Sequence, residues 1–324
     1  MPRVVTALLV SVCCLGLFAA PAFAWNDTGH MAVAYIAYKH LTPQAREAVD
    51  RLVALNPDVA AWSNALPASW DEDTRRLARF MFISIWPDLI KSKDTYVSDG
   101  PAGGNEPPPV PESSQNIGYS DKLRHKYWHF VDHPFSTDQT PVAQPPVPNA
   151  ESQLAILRTA FADPQTSDDV RAYDLTWIVH LVGDLHQPLH TVSRFSKGHP
   201  KGDDGGNVVM LCTAPCKANL HGFWDSVLGA GFIDVTISLG EALDAIPFPS
   251  ATAKSDTTDT AKWIAEGVAA AKTVVYSAPI KPESPAPAVS LPSRAYRTKA
   301  RVLAEDRVIL AGRRLARLIN EALK

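Results

Sequence analysis

Cysteine is scarce: there are four in 324 residues, two of them adjacent at Cys13 and Cys14, which leaves Cys212 and Cys216 for the rest of the chain. A cysteine-dense scaffold is therefore excluded, and the fold has to rest on an apolar core. Excess positive charge is missing too, since 31 Lys and Arg stand against 34 Asp and Glu for a formal net charge of −3. That balance excludes an electrostatic clamp along duplex phosphates, which needs a basic face. Beyond Ala24 no apolar run is long enough to cross a bilayer, and no fixed repeat appears. Strand-type alternation is also rare.

What is present begins with Arg3, an apolar run from Val4 to Phe18, and the small-residue pattern Ala22-Phe23-Ala24. This reads as an export signal over residues 1–24, cut before Trp25. The mature protein is then a single domain over 25–324, expected in the periplasm or the medium. Arg3 is the only charge in the leader, so the mature chain is near −4 by the same count. In that compartment Cys212 and Cys216 are expected to pair, closing a short loop for about 2 kcal/mol of loop-closure entropy. A thiolate metal pair is the rival reading of the same two residues.

With 46% hydrophobic residues, the chain can bury a substantial core. Helix start signals recur at Thr42-Pro43, Asn149 and Ser167, and helical spacing runs through Met31–His40, Arg75–Trp86, Asp234–Ala245, Asp259–Tyr276 and Tyr296–Leu323. Asp71, Glu72 and Asp73 read as the acidic start of a helix beside Arg75 and Arg76. The stretch Ala61–Trp70 reads as irregular. Segments 98–119 and 134–148 are rich in Pro, Gly, Ser and Asn and read as long loops. The expected class is all-α: one mainly helical domain with Pro-rich loops and at most a small β-hairpin starting at Asn207–Cys212. Arg313, Arg314 and Arg317 read as a solvated face.

The chemistry gathers around His180-Leu-Val-Gly-Asp184-Leu-His186-Gln-Pro188-Leu-His190. His180 and Asp184 are four residues apart and share a helical face, and Pro188 breaks the helix so that His190 folds back to the same point. Two imidazoles and a carboxylate suit a borderline divalent metal such as zinc, although a hydrogen-bonded His–Asp pair has the same spacing. His221 and Asp225 repeat it at another helix start. Trp25 could add its α-amine and carbonyl beside His30, because an amine with a pKa of about 7.7 to 8.0 loses its proton near neutrality. The helix from Arg75 delivers Asp88, with Lys91 one turn later for phosphate oxygens. Between the loops, His129 offers a ligand, Phe130 a stacking ring and Asp132 an acceptor for a base edge.

Taken together, Trp25 with Gly29-His30, Trp86-Pro87-Asp88, Trp128-His129-Phe130-Val131-Asp132, His180-x3-Asp184-x5-His190, Gly206-Asn207 and His221-x2-Trp224-Asp225 resemble the S1/P1 nuclease family. The resemblance covers most of the mature chain. It implies a helical fold like that of zinc phospholipase C, and three zinc ions. Asp88, His129, His180 and Asp184 would hold the first; Trp25, His30 and the other oxygen of Asp184 the second; His190, His221 and Asp225 the third. It further implies hydrolysis of single-stranded DNA and RNA to 5′-phosphate products, with 3′-nucleotidase activity, by attack of a metal-activated hydroxide. Asp88, Lys91 and Asp184 would be catalytic, and Lys91, Phe130, Asp132 and Asn207 would bind substrate. No obligate protein partner is implied.

Three features depart from the family pattern. The Pro-rich segment between Asp88 and His129 is longer than expected, Lys91 stands where Arg is frequent, and His186 adds an imidazole, read with His125, His133 and His199 as supporting the ligands or facing solvent. The alternatives are a zinc phospholipase C and a non-catalytic exported zinc-binding protein.

Overall fold

A computed structural model describes residues 25–213, 217–246, 257–280 and 292–324. The export segment and Cys216, and with it the expected Cys212–Cys216 pairing, lie outside them. The described residues are mainly helical, as the sequence predicts.

Helix α1 (Asp27–Lys39) starts where the Asn26 side chain accepts from the Gly29 amide at 3.2 Å. Helix α2 (Pro43–Val53) is capped by Thr42 with proline at its first position. Helix α4 (Glu72–Ile83) is capped by Asp71, with Glu72 and Asp73 in its first turn, where the helix dipole favours them. A reciprocal box between Asn149 and Ser152 opens α6 (Ala150–Ala162), and Ser167 caps α7 (Asp168–Asp184). Three further helices, α8 (Leu220–Asp225), α9 (Ile233–Asp244) and α10 (Thr260–Ala270), lead to the long α11 (Arg294–Ala322).

Every residue of α7 from Ala172 to Asp184 is buried, so this helix is the axis of the domain. The main core joins it to α1, α4 and α11. α1 and α11 come together at Gly312, where a Cβ would stand 2.6 Å from that of Ile36, so only glycine permits the approach. Trp177 of α7 meets Trp128 edge-on with ring centroids 4.9 Å apart, and losing such a ring costs about 3 to 5 kcal/mol.

Several expectations are corrected. Ala61–Trp70 is not wholly irregular: α3 (Val59–Ala65) occupies its first half, and Pro67 follows the helix rather than preventing it. The predicted helix Arg75–Trp86 is two, because α4 ends at Ile83 and a short α5 (Trp86–Leu89) begins after a break at Ser84-Ile85, with Pro87 in its first turn. The small sheet is not a hairpin but a parallel pair, β1 (His133–Ser136) with β2 (Val192–Phe195). Four-residue strands are too short to leave an alternation signal, and β1 lies inside the Pro-rich segment 134–148. The expected hairpin is reduced to one antiparallel bridge, Met210 with Asn219. Loop 98–119 contributes to the core after all: Tyr119 is buried and its hydroxyl joins Asn56, Thr176 and the Ala172 carbonyl. Arg314 is not on a solvated face but fully buried, while Arg313 is half-buried and Arg317 exposed.

Asp174, on the second turn of α7, is fully buried, and neither carboxylate oxygen has a hydrogen-bond partner. Burial pushes its pKa up to about 8, an effect that the nearby Arg171 charge only partly offsets. The folded state therefore holds a proton that the unfolded chain has released, and stability falls as pH rises from about 4 toward 8. Asp174→Asn should gain stability over the parent across that window and differ little at its acidic end. Thermal melting at pH 5 and pH 8 measures the divergence.

Candidate metal centre

The break between α4 and α5 has a chemical consequence. It frees the Ser84 carbonyl, which accepts a hydrogen bond from His180 Nδ1 at 2.6 Å. A carbonyl can only accept, so the proton sits on Nδ1 and Nε2 turns its lone pair inward. The same device recurs twice. His190 donates from Nδ1 to the His129 carbonyl at 2.7 Å, and His221 donates from Nδ1 to the Gly205 carbonyl at 2.8 Å. Each bond fixes the ring and the tautomer that a metal ligand requires.

The inward atoms converge. Among the described residues three groups form, His30 with His180 and Asp184, Asp88 with His129 and His180, and His190 with His221 and Asp225. Within each group the donor atoms lie within 4.8 Å of one another, and every member is buried. Asp184 turns Oδ2 toward His180 Nε2 at 3.1 Å and His129 Nδ1 at 3.3 Å, while Oδ1 faces His30 Nε2 at 3.3 Å and His190 Nδ1 at 3.6 Å. This carboxylate therefore stands between groups. Gly183 makes room for the arrangement, since a Cβ there would lie 2.7 Å from His30 Nδ1.

Trp25 is fully buried, and the next residue ties the chain start to the third group through Asn26 N–H donating to the Asp225 carbonyl at 3.0 Å. Asp225 is also held by the Gln187 amide at 2.7 Å. Lys91 contacts Asp88 Oδ1 at 2.6 Å and reaches the same cleft.

The donor set fits a divalent metal. His30 Nε2, Asp88 Oδ2, both oxygens of Asp184, His190 Nε2 and Asp225 Oδ2 are buried without a hydrogen-bond partner, a costly state for polar atoms unless a cation satisfies them. The electrostatics agree with that fit. Burial, then Lys91, pushes His129 down to about 3, and burial pushes His190 down to about 4, which keeps both rings neutral. Burial alone would raise Asp184, yet His180, together with the adjacent ring of His129, holds its carboxyl well below the usual range. Lys91 and the imidazoles likewise outweigh burial at Asp88 and bring it to about 2.

A cavity of about 380 Å³ opens above these groups. Its wall includes Lys91, Phe130, Asp132 and Asn207, which the sequence singled out, and His129, His190 and His221 reach its floor. Burial, then Asp204 and Asp203, pushes Asp132 up to about 7. The sequence reading missed Ser92, Asn105, Lys126 and Asp204, which also line the cavity. Of these only Lys126 had a signal, its place three residues before His129.

Of the remaining imidazoles, His133 is exposed and His199 half-buried, so both touch solvent. His125 and His186 do not face solvent. His186 is buried, donates to the Val182 carbonyl at 2.7 Å and accepts from Arg314 at 2.9 Å. His125 is enclosed between Asp99 at 2.7 Å and Asp121 at 2.9 Å. Asp121 stands only four residues before His125, but Asp99 and Arg314 come from distant segments whose proximity spacing does not reveal.

Asp184→Asn removes the carboxylate that stands between groups and should cost more bound metal than Asp225→Asn, which touches only the third. Elemental analysis of the purified variants gives metal per chain. Equal losses from the two would contradict the bridging geometry.

The S1/P1 Nuclease family model matches residues 25–324. Endonuclease 3 of Arabidopsis thaliana is 25% identical over 224 residues, which cover 68% of this chain and 60% of that protein. Endonuclease 5 of the same plant is 25% identical over 228 residues, covering 68% and 61%, and Endonuclease 2 is 28% identical over 211 residues, covering 65% and 58%. The chain thus spans about 60% of the length of these curated relatives. A family match over all of 25–324, together with buried His and Asp groups at five of the six motifs that carry the resemblance, places this chain in the S1/P1 nuclease family.

Proposed function

We propose that this protein is an exported zinc-dependent phosphodiesterase that hydrolyses single-stranded DNA and RNA to 5′-phosphate products and also acts on 3′-nucleotides. The observation that carries the reading is the convergence of three buried His/Asp groups beneath one cleft with a stacking ring on its wall. Family membership and the endonuclease names of the relatives support it. Zinc is the assigned ion because nitrogen and carboxylate donors in this ratio suit it.

Zinc held there would supply Lewis-acid charge to phosphoryl oxygens and a water of lowered pKa as nucleophile. The chain's own residues do the rest. Asp184 sets the separation of two groups through its two oxygens, and Asp88 completes one of them. Lys91 offers an ammonium to a non-bridging phosphate oxygen as negative charge builds there. The ring of Phe130 gives an unpaired base a face to stack on, which duplex DNA does not expose. Asp132 and Asn207 meet the base edge. The buried start of the mature chain at Trp25 adds an amine and a carbonyl to His30 once residues 1–24 are removed.

The charged lining weighs against a phospholipase, which needs an apolar cleft for acyl chains, and ligands that open onto a cavity weigh against a purely structural zinc site. The deciding assay sets the zinc-loaded mature protein against a single-stranded oligonucleotide and a short-chain phosphatidylcholine in parallel, with and without chelator. Chelator-sensitive cleavage of the oligonucleotide to 5′-phosphate ends is expected; lipid cleavage alone would move the protein to the phospholipase class. Phe130→Ala should reduce turnover of nucleotides by about tenfold or more, as loss of one stacked base is worth about 1 to 3 kcal/mol, while sparing a generic phosphodiester. One residue left before Trp25 should strip the metal shared with His30, because an amide nitrogen is a poor ligand. Full metal content in that form would remove the α-amine from the site.

A further inference from the structure

The long segment between Asp88 and His129 brings the basic residues to the cleft lining, whereas the acidic ones come from later in the chain. Asn105 and Lys126 line the cavity together with Lys91, while Asp132 and Asp204 line it elsewhere. Lys91 is already engaged by Asp88 at 2.6 Å. Among the described residues no carboxylate forms an ion pair with Lys126: its ammonium donates to the Gly103 carbonyl at 2.8 Å, and Asp99 acts on it only from a distance. Its stem packs over Gly104, where a Cβ would stand 3.4 Å from Lys126 Cδ. Ala102, Gly103 and Gly104 all have positive φ, so the backbone is bent around the lysine.

This wall is anchored. Asp99 accepts from the His125 amide at 2.9 Å and faces the His125 ring at 2.7 Å, which fixes the loop to the residue before Lys126. The side chain is half-buried, and its ammonium is close enough to Lys91 for that charge to weaken its hold on a proton, after the larger effect of burial. Two ammonium groups at one rim, only one of them neutralised by a carboxylate, favour a polyanion that presents more than one phosphate.

We propose that Lys126, assisted by the Asn105 side chain, forms a phosphate subsite for the nucleotide next to the scissile one, so that the cleft distinguishes a strand from a mononucleotide. The proposal rests on the nuclease reading for its substrate. The backbone of the strand would then lie along Lys91 and Lys126, leaving Phe130, Asp132 and Asp204 of the same lining to face its bases.

The test compares the parent with Lys126→Gln, which retains a donor for the Gly103 carbonyl, and with Lys126→Arg. Binding of a fluorescein-labelled single-stranded phosphorothioate oligonucleotide, which resists turnover, to the zinc-loaded protein is followed by anisotropy against salt. Lys126→Gln should weaken binding about fivefold near 0.1 M salt and reduce the salt slope by about 0.7, the contribution of one phosphate contact on a single strand, and Lys126→Arg should restore both. In the zinc-loaded protein the same change should raise KM for the unmodified oligonucleotide and leave KM for a 3′-mononucleotide unchanged. An unchanged salt slope, or equal losses on strand and mononucleotide, would overturn the subsite. Oligonucleotide binding that depends on Lys126 but leads to no cleavage in any zinc-loaded form would instead overturn the nuclease reading and leave the subsite standing.

Discussion

Three backbone carbonyls hold the centre together: Ser84, His129 and Gly205 accept from His180, His190 and His221 respectively. A carbonyl inside a helix already accepts from the amide four residues on, so a place where the chain is released from that ladder offers the freer acceptor for a ring. The chain supplies such places at the end of α4, at the end of the short turn Lys126–His129, and at Gly205, whose φ of 56° belongs to the left-handed region. The irregularity of the fold near the cleft is therefore not slack between helices. It is the source of the acceptors that aim the imidazoles.

Beneath the centre, the C-terminal end of α7 is secured by charges that never reach the cleft. Arg307 donates to the carbonyls of Leu185 and His186, which terminate the helix and have no further amide of their own, and a cation there complements the helix dipole. Glu266 pairs with both Arg307 and Arg314 at 2.9 and 2.8 Å. Burial, with Arg307 and Arg314 close by, holds His186 well below its ordinary pKa, so the ring stays neutral and accepts from Arg314. Breaking one member would leave an unpaired buried charge, a loss of about 3 to 5 kcal/mol where such groups are enclosed. The position of Asp184 thus depends on α10 and α11 as well as on its own helix, and Gln187 passes the same constraint to Asp225.

How much of this was legible in the sequence follows from the range of each interaction. Ser167, Asn149 and Asp71 announce helix starts because a cap acts within a few residues, and the i, i+4 spacing of His180 with Asp184 and of His221 with Asp225 survives into the structure because one helical turn sets it. The Pro188 break points to His190 and the helix from Arg75 to Asp88, whereas the grouping of Asp88, His129 and His190 into particular metal sites comes from the family pattern, because spacing alone does not predict it. Arg314 was misread because three arginines in five residues look like a solvated face, and only Glu266, far along the chain, shows why one of them is enclosed. The parallel strands β1 and β2 went unseen for the same reason. Their partners lie about sixty residues apart, and neither is long enough to show a period of two.

The Pro-rich wall is the hardest element to infer and shows how a segment without regular structure is kept in one place. Proline and glycine deny it a ladder of backbone hydrogen bonds, so its position has to come from side chains. His125 provides the anchor: it is fully buried, faces carboxylates on both ring nitrogens, and stacks on Trp128 with centroids 3.7 Å apart. Burial would lower its pKa, but Asp121 and Asp99 reverse that and hold the ring as a cation. A charge enclosed in this way contributes little net stability after desolvation, yet it penalises every other placement of Asp99 and Asp121. Trp128 adjoins His129, so the same stack that anchors the wall also fixes a residue of the floor. Wall and floor therefore form one rigid unit, and the shape of the cleft mouth follows directly from the position of the metal-facing groups.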